Sequence, residues 1–182
     1  RNTFTTASGG APYPVFNAIT DNPNYGDERN FLTTKSSKHK SAGGWVDDVW
    51  VNPGEIFLLR AFGNNSGQDS AGSVPAGSLH DARIRLSITE EPRGHVIKAE
   101  LLAANAEPIW DSVVVHAAEG ATVQFDSDSF EITNNAHTGG VVLHGDPFSD
   151  EGAKIGYKDQ DGVLAPGYAF DFFVTGAFSV VK

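Results

Sequence analysis

Apolar residues in this chain recur at every second position and almost never at every third or fourth. Residues 82–88 alternate Ala82, Ile84, Leu86 and Ile88 with Arg83, Arg85 and Ser87, the signature of a strand with one buried face. The 20 Gly and 9 Pro residues break the chain so often that no stretch sustains an apolar helical face between caps. A chain patterned this way is limited to an all-β sandwich or barrel joined by long loops.

Residues 55–62 place Ile56, Leu58 and Phe62 on one face, with Arg60 interrupting it, and Phe57, Leu59 and Ala61 on the other. Two largely apolar faces predict a central strand. Further strands are predicted at 13–19, 29–34, 45–51, 95–104, 109–117, 121–126, 129–133, 140–144 and 168–181. Turns such as Asn52-Pro53-Gly54 and Glu91-Pro92-Arg93-Gly94 space them. Residues 99–106 are rich enough in Ala and Leu for a short helix, but the alternation of Val96, Lys98, Glu100 and Leu102 assigns strand. In the last strand Gly176 interrupts an aromatic run and predicts a bulge or bend. The Gly/Ser-rich segment 63–79 is expected to be exposed, and 35–44 to form a small basic loop. Trp50, Trp110, Leu58, Ile84, Leu86 and Phe172 are the expected core.

At 182 residues the chain is one domain, large enough to bury a core without disulfides. It has no Cys, which excludes a disulfide framework, a cysteine nucleophile and a cysteine-ligated zinc. It has no Met and begins at Arg1, the expectation for an exported product whose leader has been removed. No apolar run approaches the roughly 18 residues of a membrane helix. Net charge is −10, which argues against a nucleic-acid partner. The excess lies in the second half: residues 101–182 hold 12 acidic and 3 basic side chains. Solubility through self-repulsion explains it most simply, and cation binding or a basic partner is the alternative.

Val51-Asn52-Pro53-Gly54-Glu55, followed by an alternating strand and the exit Asn64-Asn65-Ser66-Gly67, resembles the turn, strand and Asn-rich exit of DUF11-like modules of secreted bacterial surface proteins. Gly167-Tyr168 and the aromatic strand to Val181 resemble the closing strand of that family. Phe16-Asn17-Ala18-Ile19-Thr20-Asp21-Asn22-Pro23, then Gly26-Asp27-Glu28-Arg29-Asn30-Phe31, with Trp110-Asp111, Ile155-Gly156-Tyr157 and Asp161-Gly162-Val163, are similar to runs in uncharacterised exported proteins. The resemblance spans most of 16–182 and implies an extracellular Ig-like or jelly-roll-type β-sandwich without catalytic residues. Related architectures sometimes carry an intramolecular isopeptide bond. Lys98 is the one plausible donor here, and none is expected.

Among the constellations, Asp21, Asp27 and Glu28 crowd one loop with Asn22-Pro23 and Gly26. Such a loop could wrap Ca²⁺, which takes 6–8 oxygen ligands. Equally, it could bond to itself, with Arg29 pairing to Asp27 or Glu28. Asp159 and Asp161 before Gly162 resemble the start of a calcium loop but lack the closing Glu. No cofactor is required, and Ca²⁺ is the one ion these residues suit. The six His residues form no ligand motif, and no nucleophile elbow, phosphate loop or dinucleotide fingerprint is present. An enzyme is not expected. Exposed Trp rings can stack on sugar faces, and Trp45, beside Gly43-Gly44, is the candidate ligand-binding ring.

Residues 1–15 form a Thr-rich arm outside the resemblance, set off by Gly9-Gly10, Pro12 and Pro14. Thr3, Phe4, Thr5 and Thr6 have the β-propensity to join a neighbouring subunit's sheet edge. The sequence therefore leads to two expectations. One is a secreted structural subunit of a filament, pilus-like fibre or surface layer, self-associating through the arm. The other is a carbohydrate-binding or adhesive surface module.

Overall fold

The computed structural model describes residues 2–68, 77–92 and 94–182. The strands are β1 (Leu32–Ser36), β2 (Asp48–Trp50), β3 (Ile56–Gly63), β4 (Arg83–Glu91), β5 (Gly94–Ala103), β6 (Ala106–His116), β7 (Thr122–Phe125), β8 (Glu131–Asn134), β9 (His137–Val142), β10 (Ala153–Lys154) and β11 (Phe172–Val181). They form two sheets that pack face to face, an all-β sandwich. The first runs β1-β3-β11-β8-β9, with β7 also on β11; the second runs β10-β4-β5-β6-β2. Pairing is antiparallel except for β2 on β6.

Alternation sets the layers. In β3, Phe57, Leu59 and Ala61 face the core, as do Ile84 and Leu86 of β4, Ile97, Ala99 and Leu101 of β5, and Phe172, Val174 and Phe178 of β11. β11 is the spine of its sheet. β3 lies along one side of it, and β8 and then β7 share the other. No bulge occurs at Gly176: the β3–β11 register runs unbroken from Phe172 opposite Gly63 to Ser179 opposite Ile56. The glycine makes room instead. A Cβ at Gly176 would lie 2.4 Å from the Phe130 ring, and one at Gly63 would lie 2.0 Å from the Phe172 ring.

Several expectations are corrected. Trp50 and Trp110 are 75% and 64% exposed. In β6 the inward positions are Ile109, Val113 and Val115, and a strand side chain one residue away must point outward. Trp110 therefore reaches over Lys98, whose ammonium lies 5.4 Å from the ring centre and pairs with Glu100 at 3.0 Å. Trp50 is outward for the same reason, beside inward Val49, and stacks on His116 with centroids 4.5 Å apart. Leu58 is half-buried on the outer face of β3. Residues 13–19 make only an isolated bridge from Phe16 to Asn65 and another from Ile19 to Phe4, because Asn17 turns to φ 47°. The segment expected to be exposed after β3 begins buried: Asn64 and Asn65 are 1% exposed and Ser66 is 3% exposed. Residues 69–76 of that segment lie outside the described residues. Among the described residues, no helix is long and apolar enough to cross a membrane.

Overpacking a filled core costs roughly 1–3 kcal/mol. Gly176→Ala should therefore lower the midpoint of urea unfolding by a corresponding amount. Gly139→Ala, where nothing lies within 4 Å of the added carbon, should leave it close to wild type.

Candidate functional site

The loop before β1 and the loop after it meet on the outer face of the first sheet. That face carries Arg60 and Phe62 of β3, with Thr33 of β1 and Thr175 of β11 directly opposite Arg60 and Phe173 opposite Phe62. Tyr25 of the first loop stacks on Phe62, with centroids 3.9 Å apart and planes 12° apart. Its hydroxyl donates to the Asn30 carbonyl at 2.8 Å. Burial pushes the Tyr25 phenol up to about 12, with Arg60 pulling the other way, so it remains a donor at neutral pH. Trp45 of the second loop lies over Arg60.

The guanidinium of Arg60 thus lies against two rings. Its central carbon lies 4.2 Å from the Trp45 centroid and 4.9 Å from that of Phe173. Its Nε is buried without a hydrogen-bond partner. Among the described residues none of the ion pairs includes it. Burial lowers its pKa from the ordinary arginine value, the mark of a charge short of compensation. Lys35, whose ammonium lies 4.8 Å from the Trp45 ring centre, differs: it donates to the Ser41 carbonyl at 2.9 Å. Tyr25, Thr33, Trp45, Arg60 and Phe173, with Asn24, Asp27 and Asn30, line an open cleft of about 350 Å³. Asp27 also grips Arg29 through contacts of 2.5–3.1 Å. A larger hollow of about 610 Å³ lies beside Tyr13 and Asn105 but gathers no cationic side chain among the described residues.

The loop that carries Tyr25 is anchored by a buried carboxylate. Glu28 is 0% exposed. Its Oε2 accepts from the Ile19 N–H at 3.1 Å and the Ser66 hydroxyl at 2.8 Å. Its Oε1 accepts from the side-chain amides of Asn22 at 2.8 Å and Asn64 at 2.7 Å. A metal ligand must keep lone pairs free, and here four protein donors occupy them. Asp21 points away, accepting the Thr6 N–H at 2.6 Å and the Thr6 hydroxyl at 3.0 Å. Asp161 accepts the Val163 N–H at 2.9 Å, and Asp159 is exposed in the same turn. The structure therefore does not bring the carboxylates expected to bind calcium into one shell. Among the described residues, no three His, Asp or Glu side chains gather where they could hold a metal ion.

The arm also has a place. Phe4 donates its N–H to the Ala18 carbonyl at 2.8 Å and accepts from the Thr20 N–H at 3.0 Å. It packs against a small cluster of Ala11, Val15 and Ala18. Thr3, Phe4, Thr5 and Thr6 thus lie along their own chain. The free sheet edges near the site are covered as well. Asp111 of β6 accepts the N–H groups of Phe31 and Leu32 at 2.8 and 2.9 Å, and Val46 pairs with Thr34. Gln160 plugs the far edge, donating to the Val142 carbonyl and accepting from the His144 N–H.

Of the expected site residues, Trp45 and Asp27 line the cleft. Arg60, Tyr25, Phe173, Asn24 and Asn30 were not foreseen. The one signal for them was Arg60 itself, a charge set into an apolar strand face. No family model, curated protein or solved structure matches this chain.

Two outcomes test this geometry. Glu28→Ala strands four donors, each costing about 1–3 kcal/mol when left unmet, so it should destabilise the fold by at least about 3 kcal/mol in urea titrations. Asp171, just before β11, has a buried oxygen without a partner. Burial, and then the charge of Glu28, push its pKa up to about 8. The folded chain therefore keeps a proton that the unfolded chain releases near pH ~4. The Asp171 contribution is full below that pH and is lost as pH rises to about 8. Unfolding free energy measured across this range should fall less steeply in Asp171→Asn, and the variant should exceed wild type at alkaline pH.

Proposed function

We propose that this chain is an extracellular, non-enzymatic binding module that recognises carbohydrate in the cleft of Trp45, Arg60, Phe173 and Tyr25. The observation that carries the reading is the Trp45–Arg60–Phe173 stack beside an open cleft. Aromatic faces suit the apolar face of a sugar ring, and a few placed polar groups fix its orientation. Asn24 and Asn30 bring amides to the cleft, and Asp27 a carboxylate. Binding rather than turnover fits, because Asp27 is engaged with Arg29. A glycan array probed with labelled protein tests it. Trp45→Ala should abolish the signal while leaving the melting temperature near wild type. Equal signals from both proteins would place binding elsewhere.

A second reading keeps the arm as an assembly device. Its contacts, Phe4 beside Ile19 and Ala11 beside Gly67, would be reproduced without loss if two chains exchanged arms, since swapping reuses native contacts. A chain of such exchanges would build the filament or surface layer expected from the sequence. Light scattering on the full chain and on one lacking residues 1–10 tests this. Large species only in the full chain support exchange, and equal mass in both removes it.

A further inference from the structure

We infer that the cleft selects saccharides that bear a carboxylate, with Arg60 as the group that receives it. This rests on the carbohydrate reading above and goes further by naming the ligand's charge. The chain carries a net charge of −10, so an unpaired cation in it is conspicuous. The other arginines whose side chains are described have carboxylate partners: Arg29 with Asp27, Arg83 with Asp81 and Glu151, and Arg85 with Glu100. Arg60 has none among the described residues. Its neighbours across the sheet, Thr33 and Thr175, are neutral.

The way Arg60 is held dictates how a ligand would meet it. The guanidinium carbon lies over both the Trp45 and the Phe173 rings, 4.2 and 4.9 Å from their centroids, and Nε is buried without a partner. What remains is the terminal edge with its paired N–H donors, whose geometry matches the two oxygens of a carboxylate. The rings also fix the side chain before any ligand arrives. The rotamer freedom an exposed arginine loses on binding is therefore already gone. Desolvation against the rings strengthens the pairing with an anion relative to water. A neutral sugar would leave that charge unmet; a uronic acid would satisfy it while its ring lies against the aromatic wall. Tyr25 stays protonated and is already committed to the Asn30 carbonyl, so it adds no competing charge.

The test uses oligosaccharides of galacturonic, glucuronic and mannuronic acid, each beside its methyl ester, in which the charge is removed and the rest of the sugar kept. Titrations are run by calorimetry with chelator present, so that no divalent ion can bridge acid to protein. At least one acid should bind, and its ester should bind at least tenfold more weakly. Arg60→Gln should erase that difference while retaining the weak binding of the ester, and Arg60→Lys should restore it only in part, having charge without the fork. Equal binding of acid and ester to the wild-type chain would overturn the inference and leave the carbohydrate reading standing. So would an undiminished preference in folded Arg60→Gln. Binding of no saccharide at all, acid or neutral, would remove both. The comparison on the wild-type chain decides the matter even if the Arg60 variants do not fold.

Discussion

The cleft depends on one buried carboxylate. Glu28 draws Ile19, Asn22, Asn64 and Ser66 onto its two oxygens. In doing so it ties the loop before β1 to the chain leaving β3. An ionised group taken out of water is costly unless its hydrogen bonds are remade, and four donors remake them here. Fixing that loop sets Tyr25 on Phe62 and brings Asp27 and Asn30 to the cleft. Asn17 reinforces the same junction, donating its side-chain amide to the Phe62 carbonyl and accepting from the Asn64 N–H. A polar belt thus closes one end of the sandwich, where an apolar core would leave backbone groups unpaired.

The same economy governs the sheet edges. Exposed edges invite other strands, and this fold covers the described ones near the cleft with side chains. Asp111 crosses from the second sheet to the edge at β1, joining the two layers where the cleft begins. Gln160, at φ 49°, turns its amide onto the edge at β9. The outer faces are treated differently. One carries Trp50 and Trp110 in the open, the latter facing Lys98. The other is roofed by the two loops that build the cleft. What sets the cleft apart from these exposed rings is its cation without an ion-pair partner among the described residues.

Much of the layer structure was legible from parity. β3, β4 and β5 lie close to where alternation placed them, because one buried face fixes register within a residue. Trp50 and Trp110 were misread because size and hydrophobicity outweighed parity, and Val113 and Val115 already filled the inward positions of β6. Asn64, Asn65 and Ser66 looked like an exposed exit because polar residues usually are exposed. Asn64 and Ser66 are buried on Glu28, 36 and 38 residues away in the chain, and Asn65 donates to the carbonyls of Gly77 and Leu164, distances no local pattern spans. For the same reason local sequence leaves Glu28 open between a calcium ligand and a loop bonded to itself. The two-residue strand β10 is too short to leave a pattern. Arg60 was visible as an interruption, but its partners, Trp45 and Phe173, come from segments far apart in sequence.

The three tryptophans offer the most direct test, because they lie in different settings. Trp45 lines the cleft, whereas Trp50 and Trp110 stand on the opposite sheet. Their indole N–H signals, and the Nε–H signal of Arg60, can be followed by nuclear magnetic resonance while a uronate oligosaccharide is added. The account predicts that Trp45 and Arg60 shift together along one saturable curve, with Trp50 and Trp110 unmoved. Movement of Trp50 or Trp110 with Trp45 and Arg60 silent would contradict it.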